Sequence, residues 1–237
     1  MRFKLLLLIT LLIPVFAVAQ IIDGTGEKID FLKIKAWLPS RLQEYQAVYH
    51  FGNSELESDF ILIIVNNSCF AQIAAGEWKS KDGKDHWVFD YENLKNVRIE
   101  GNKFYSDKTD GEFVVYENKP GLIIYNPWRS VAKKGESEIG YVSCTVDRKF
   151  DQKYAFASYR LLSKHELEKM TQSELQRMRN EIFARYGYIF TTGSEMDVYF
   201  KKQKWYVGHY SDVSDFLTAL EKENIELIQF VERSKIK

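Results

Sequence analysis

The sequence predicts an α+β chain: an antiparallel β meander, built as a small barrel or sandwich, followed by a small, mostly helical C-terminal part. Two observations carry this. Up to about residue 152, apolar runs are short and separated by turn residues, the pattern of strands. From residue 153 onward the apolar period becomes helical, and Ser/Thr-x-x-Glu capping signals recur. The chain has 237 residues, 45% of them hydrophobic and 28% charged, an ordinary balance for one or two globular domains.

The first segment, residues 1–19, reads as a secretory signal peptide. Arg2 and Lys4 precede an apolar run at 5–16, which is short for a bilayer span, and Ala17-Val18-Ala19 is a small-x-small cleavage site. No cysteine follows that site, which disfavours a lipid-anchored form. Cleavage takes the formal charge from zero to two net negative, against a nucleic-acid binder. No later run is long enough to cross a membrane; "FILIIV" (60–65) has the length of a strand.

The β part is expected at residues 20–152. Residues 29–45 hold an opening strand and a short helix, then a strand at 46–51. Runs at 59–65 and 69–78 flank Asn66-Asn67-Ser68 and read as a hairpin. Asp82-Gly83 leads to a strand at 86–91. Strands at 96–100 and 103–106 meet across Gly101-Asn102. A strand at 112–117 is followed by Asn118-Lys119-Pro120-Gly121, a type II turn signal with Pro120 and Gly121 at its centre. Strands at 122–126 and 139–146 complete seven to nine in all. Cys69 and Cys144 can bridge in an exported protein, or stay as two thiols.

The helical part is expected at residues 153–237. Ser163 with Glu166 and Thr171 with Glu174 are capping boxes. Leu175, Met178, Ile182, Phe183 and Tyr186 then fall on one helix face, with Arg177–Glu181 and Glu181–Arg185 as i,i+4 pairs on the other. Gly187 sits where a helix takes a left-handed terminal residue. A third helix is expected at 194–202 and a fourth from Thr218, capped by Glu221.

Local chemistry is sparse. His165-Glu166 lacks the second histidine of a zinc-protease helix, and His50 and His86 could meet only through the fold. "DGTGEK" (23–28) lacks phosphate-loop spacing and reads as a flexible mature N-terminus. Glu55, Glu57 and Asp59 alternate in "SELESD", as on a solvated loop or edge strand. No serine-nucleophile elbow or cysteine-nucleophile signature is present, and no cofactor or metal is expected.

The stretches "MRNEIFARYGYIF" (178–190), "YFKKQKWY" (199–206) and "LTALEKENIELI" (217–228), in that order, resemble the YARHG domain. The resemblance spans about residues 159–231 and implies an exported bacterial protein, periplasmic or secreted, without naming a reaction. Phe183-Ala184-Arg185-Tyr186-Gly187 stands in place of the naming motif, with Phe183 for tyrosine and Tyr186 for histidine. "GEFVVYENKPGLIIYNPW" (111–128) resembles other small exported bacterial β-domains. The expected function is non-catalytic binding of a cell-envelope glycan, peptide or protein. Candidate contacts are Arg179, Arg185, Trp205 and Tyr206, with Asn180, Phe183, Tyr186 and Gly187 as the structural motif. The competing readings are an envelope hydrolase with its site in the β part and a lipocalin-like carrier of an apolar ligand.

Overall fold

The computed structural model describes residues 20–81, 83–150 and 152–235, with the side chain of Lys81 left aside. The signal-peptide expectation and Asp82 of the expected turn lie outside the described residues.

Eleven strands form one sheet: β1 (Ile21–Ile22), β2 (Ile34–Ala36), β3 (Ala47–Phe51), β4 (Ser58–Val65), β5 (Ser68–Lys81), β6 (Lys84–Asn93), β7 (Arg98–Glu100), β8 (Lys103–Tyr105), β9 (Gly111–Tyr116), β10 (Lys119–Ile124) and β11 (Ser137–Cys144). The order is β6-β5-β4-β3-β11-β10-β9-β8-β7, with β2 antiparallel beside β9 and β1 parallel beside β11. All other pairs are antiparallel, as a meander requires.

The sheet curls around an aromatic interior. Tyr49 and Phe60 of the neighbouring β3 and β4 share one buried cluster with Phe104 and Phe113 of β8 and β9, separated from them by two strands or more in the order, and with Leu62, Ile64 and Leu122. Phe60 meets Phe104 edge-on at 5.2 Å, and Tyr45 stacks on Phe113 at 4.1 Å. The phenols inside find partners: Tyr49 donates to the Tyr45 carbonyl at 2.6 Å, and Tyr45 to that of Trp37 at 2.7 Å. The interior is therefore filled with rings.

The unbroken apolar run of β4 has a physical reason. Phe60, Leu62 and Ile64 point inward, while Ile61 and Ile63 belong to a second cluster on the outer face with Val48, Ala74, Val146 and Leu220. A strand buried on both faces has no need of polar alternation. That outer face is covered by α1 (Val146–Lys149), which follows β11, and by the C-terminal part through Leu220 of α5 (Ala219–Lys235); α2 (Lys164–Glu168), α3 (Gln172–Arg185) and α4 (Glu195–Phe200) complete the helices. Residues 21–34 cover another stretch of the outside, with Ile21, Ile29 and Ile34 packed on Val114, Ile123 and Ile139.

The helix starts form as their sequence signals predict. Ser163 accepts from Glu166 N, Thr171 from Glu174 N, Ser194 from Asp197 N and Thr218 from Glu221 N. Leu175, Met178, Ile182 and Tyr186 of α3 pack with Ile225, Ile228 and Val231 of α5.

Several expectations are corrected. The 116–119 hairpin turns on Glu117 and Asn118, both at positive φ (47° and 66°), so Pro120 and Gly121 lie inside β10. Paired positive φ values suit the twist of a two-residue hairpin better than a type II turn. The 23–28 segment is a built turn: Asp23 Oδ1 accepts from the amides of Thr25 and Glu27. Glu181 makes neither i,i+4 ion pair. It is buried and accepts from Tyr154 N at 2.6 Å, while Arg177 turns to Glu195 and Arg185 to Glu221. Burial raises the Glu181 carboxyl above its usual range, and Arg185 opposes that rise.

The Cys69–Cys144 bridge is not formed; both are free thiols. Strands β4 and β3 lie between β5 and β11, which puts the two cysteines about 14 Å apart at the usual strand spacing, beyond disulfide reach. They also face different clusters, Cys69 the interior and Cys144 the outer face.

Candidate functional site

The end of α3 is where the motif residues gather. Gly187 has φ +75°, and its amide donates to the Ala184 carbonyl at 2.9 Å while Tyr188 N donates to Phe183 O at 3.2 Å. This left-handed glycine ends the helix and turns the chain back. Its own carbonyl accepts from His209 N at 2.7 Å and Tyr210 N at 2.9 Å, which ties the 205–210 loop to the helix end.

Behind that turn lies a buried polar network. The Tyr186 phenol donates to Glu221 Oε2 at 2.7 Å and accepts from Gln72 Nε2 of β5 at 3.4 Å. Burial, followed by the Glu221 charge, pushes its pKa well above the usual phenol value. Glu221 also accepts from Thr218 N and from the Ser158 hydroxyl, and its Oε1 lies 3.5 Å from Arg185 Nη2. The Arg185 and Glu221 side chains are only 4% and 1% exposed, so each charge depends on the other. Arg185 Nε and Nη1 have no hydrogen-bond partner among the described residues, and the guanidinium lies over the Phe150 ring at 5.3 Å.

Two further tethers join sheet and helices. Gln72 Nε2 donates to Phe216 O at 2.7 Å, and Asn93 Nδ2 lies within 3.0–3.1 Å of the carbonyls of Asp215, Phe216 and Leu217. The Tyr210 phenol donates to Asp90 of β6 and accepts from Lys79 Nζ at 3.0 Å.

A cavity of about 210 Å³ opens where β6 meets the motif. Trp87 and Tyr91 come from the sheet, Arg185 and Gly187 from the motif, Trp205 and Tyr210 from the following loop. Of its wall residues, Arg185 alone carries a permanent charge. A second hollow of about 330 Å³ lies on the other side of α3, with Arg179, Asn180, Phe183, Tyr188 and Asp212 among its walls.

The sequence candidates thus divide. Arg185 and Trp205 share the first cavity with Tyr186 and Gly187, and Trp205 also packs on Phe200 at 6.0 Å. Arg179 borders the second and pairs with Glu232 through Nε at 3.0 Å, joining α3 to α5. Asn180 Nδ2 donates to Gln176 O at 2.7 Å. Tyr206 donates to Tyr188 O at 2.7 Å and bears on Phe190 and Phe200, inside a small aromatic cluster.

Residues 151–233 match the YARHG domain family. In this YARHG domain, the arginine of the naming motif is a buried partner of Glu221, and Tyr186 keeps a hydrogen-bonding group where the motif has histidine. No curated protein and no solved structure matches the chain significantly.

Sequence reading missed Trp87, Tyr210, Gln72 and Asn93 as neighbours of the YARHG motif. Trp87 and Asn93 lie on β6 and Gln72 on β5, and no local signal says which sheet face receives a helical domain. Glu221 was legible as a helix cap but not as the hub of the network. His50 does not meet His86; its Nδ1 lies 2.9 Å from Asp59 Oδ1, and the His86 ring is 6.4 Å from that of His209. Among the described residues no group of three metal-type ligands gathers, and no helix is long and apolar enough to cross a membrane.

Proposed function

We propose that the chain is an exported, non-catalytic protein, periplasmic or secreted, that binds a cell-envelope glycan, peptide or exported protein through its YARHG domain. We take residues 20–152 as the β unit and 153–237 as the YARHG unit. The observation that carries this reading is the aromatic-walled cavity where the naming motif faces β6. Trp87 and Trp205 offer flat surfaces on which sugar or aromatic rings stack. The ring-filled interior of the sheet favours this surface cleft over a carrier's internal pocket.

The test is retention of the mature protein on isolated peptidoglycan and on envelope extracts. Retention is expected for the wild type, and a loss of about tenfold for Trp205→Ala, one stacking surface being worth about 1.4 kcal/mol. Circular dichroism checks that the variant is folded. Equal retention of Trp205→Ala, or no retention of the wild type on either fraction, overturns the reading.

A further inference from the structure

A second aromatic-walled hollow, outside the YARHG domain, also has Trp87 in its wall. Trp78 and Trp87 are cross-strand partners on β5 and β6. Their ring centroids are 5.2 Å apart with planes at 70°, so the two indoles form a corner. Trp78 is 59% exposed, unusual for so large a ring. A hollow of about 350 Å³ is lined by this pair with Ser54, Glu55 and Glu57.

Two features hold the corner open. Gly76 leaves the Trp87 ring free to lie on the β5 backbone: a Cβ there would come within 2.2 Å of the indole. Arg129 donates from Nη1 to Gly76 O at 2.6 Å and from Nη2 to Glu55 O at 2.8 Å. That guanidinium clamps the 3-10 turn Ser54–Leu56 against the strand that carries the tryptophans. Its hydrogen bonds go to backbone carbonyls and not to the carboxylates of Glu55 or Glu57.

The charged residues that line the hollow are both acidic. Glu55 and Glu57 line the hollow, and neither appears in an ion pair among the described residues, whereas their neighbour Asp59 is held by His50 and Lys149. Indole faces carry negative quadrupole density, which attracts a cation. Carboxylates beside such faces add to that attraction and repel anions. We propose that Trp78, Trp87, Glu55 and Glu57 form a binding site for an organic ammonium group. A sugar would also stack on an indole and donate its hydroxyls to a carboxylate, but it would gain nothing from the carboxylate charge, and a neutral control separates the two.

The test is titration of the mature protein with tetramethylammonium chloride at constant ionic strength, followed by the indole N–H signals in NMR. Sodium chloride and tert-butanol, a neutral molecule of similar shape, are the controls. Saturable shifts are expected at Trp78 and Trp87 with the ammonium alone, while Trp205, which lines only the YARHG cavity of the two, stays in place. Glu55→Gln/Glu57→Gln should weaken binding roughly threefold, the scale of charge attraction at an exposed site. Trp78→Ala should abolish it; both changes are at the surface, and an unchanged spectrum elsewhere confirms the fold. No shift with tetramethylammonium, an equal shift with tert-butanol, or undiminished binding by the double variant overturns the proposal. None of these outcomes bears on retention by the envelope, so the two sites stand or fall separately.

Discussion

At the residue scale, single positions set local geometry and charge. Gly187 is an example, legible in the sequence as a helix stop and left-handed in the structure. A Cβ at this position would take on a left-handed φ and approach Val207 O at 3.1 Å. Gly187→Ala should therefore lower stability by about 1 kcal/mol, read as a fall in melting temperature; an unchanged value would show that the turn tolerates a side chain. His50 is a second. Its hydrogen bond with Asp59 raises its pKa above the usual 6.5, against burial and the nearby Lys149; the charges of Asp59 and Glu57 add to the rise. A raised histidine stabilises the fold fully below its unfolded pKa and loses that contribution as pH rises through the folded value. Since the imidazole is 43% exposed, the effect is small, about 0.5 kcal/mol or less. An NMR titration should give a His50 pKa above the free value, falling in Asp59→Asn; no change in that variant would rule out the pairing. The two cysteines make the opposite point: their residue type allowed a bridge, and the strand order and the opposite faces they occupy exclude it.

At the element scale, strands and helices were legible because their signals are local. Asn66-Asn67 turns the β4–β5 hairpin with both residues at positive φ, and Gly101 turns β7 into β8. Four helix starts carry Ser or Thr at the cap. Where reading failed, the deciding contact was distant or the competing signal stronger. Pro120-Gly121 reads as a turn, yet Gly121 is needed within β10, where a Cβ would lie 2.7 Å from Gly140 O. Glu181 reads as a surface charge, but the chain at Tyr154 folds over it. The candidate site was legible only in its YARHG half, because β6 reaches it from about a hundred residues away. Caps of the same sequence type also differ in what they hold. The Thr171 box is exposed, whereas Thr218 and Glu221 are buried, and Glu221 serves Tyr186, Ser158 and Arg185 as well. Thr171→Ala should cost about 1 kcal/mol and Thr218→Ala about 2, because the second removes a buried hydroxyl from a charged network. Equal losses in denaturant melts would mean that Glu221 is held without its threonine.

At the scale of the whole molecule, the sheet and the YARHG domain share too much to behave as beads on a string. Leu220 of α5 belongs to the same cluster as Val48, Ile61 and Ala74 of the sheet, and Tyr91 of β6 packs edge-on against Tyr186 at 4.8 Å. The polar tethers lie in the same seam, with Gln72 and Asn93 holding the carbonyls just before α5 and Tyr210 anchored on Asp90. A domain of about 80 residues buries a modest fraction of its surface alone, so the outer face of β3–β6 supplies core that the helices lack. The two parts should then unfold as one unit. Calorimetry of the mature protein should show a single transition with matching calorimetric and van't Hoff enthalpies. Asn93→Ala leaves backbone carbonyls in the seam short of a donor, and should lower that one transition by about 1–3 kcal/mol while keeping it single. Two separate transitions in the wild type, with Asn93→Ala shifting neither, would mean that the seam is a contact between independent domains. The cavity that joins Trp87 to Trp205 would then depend on how the two halves sit from moment to moment, and ligand binding should raise the melting temperature of both halves at once.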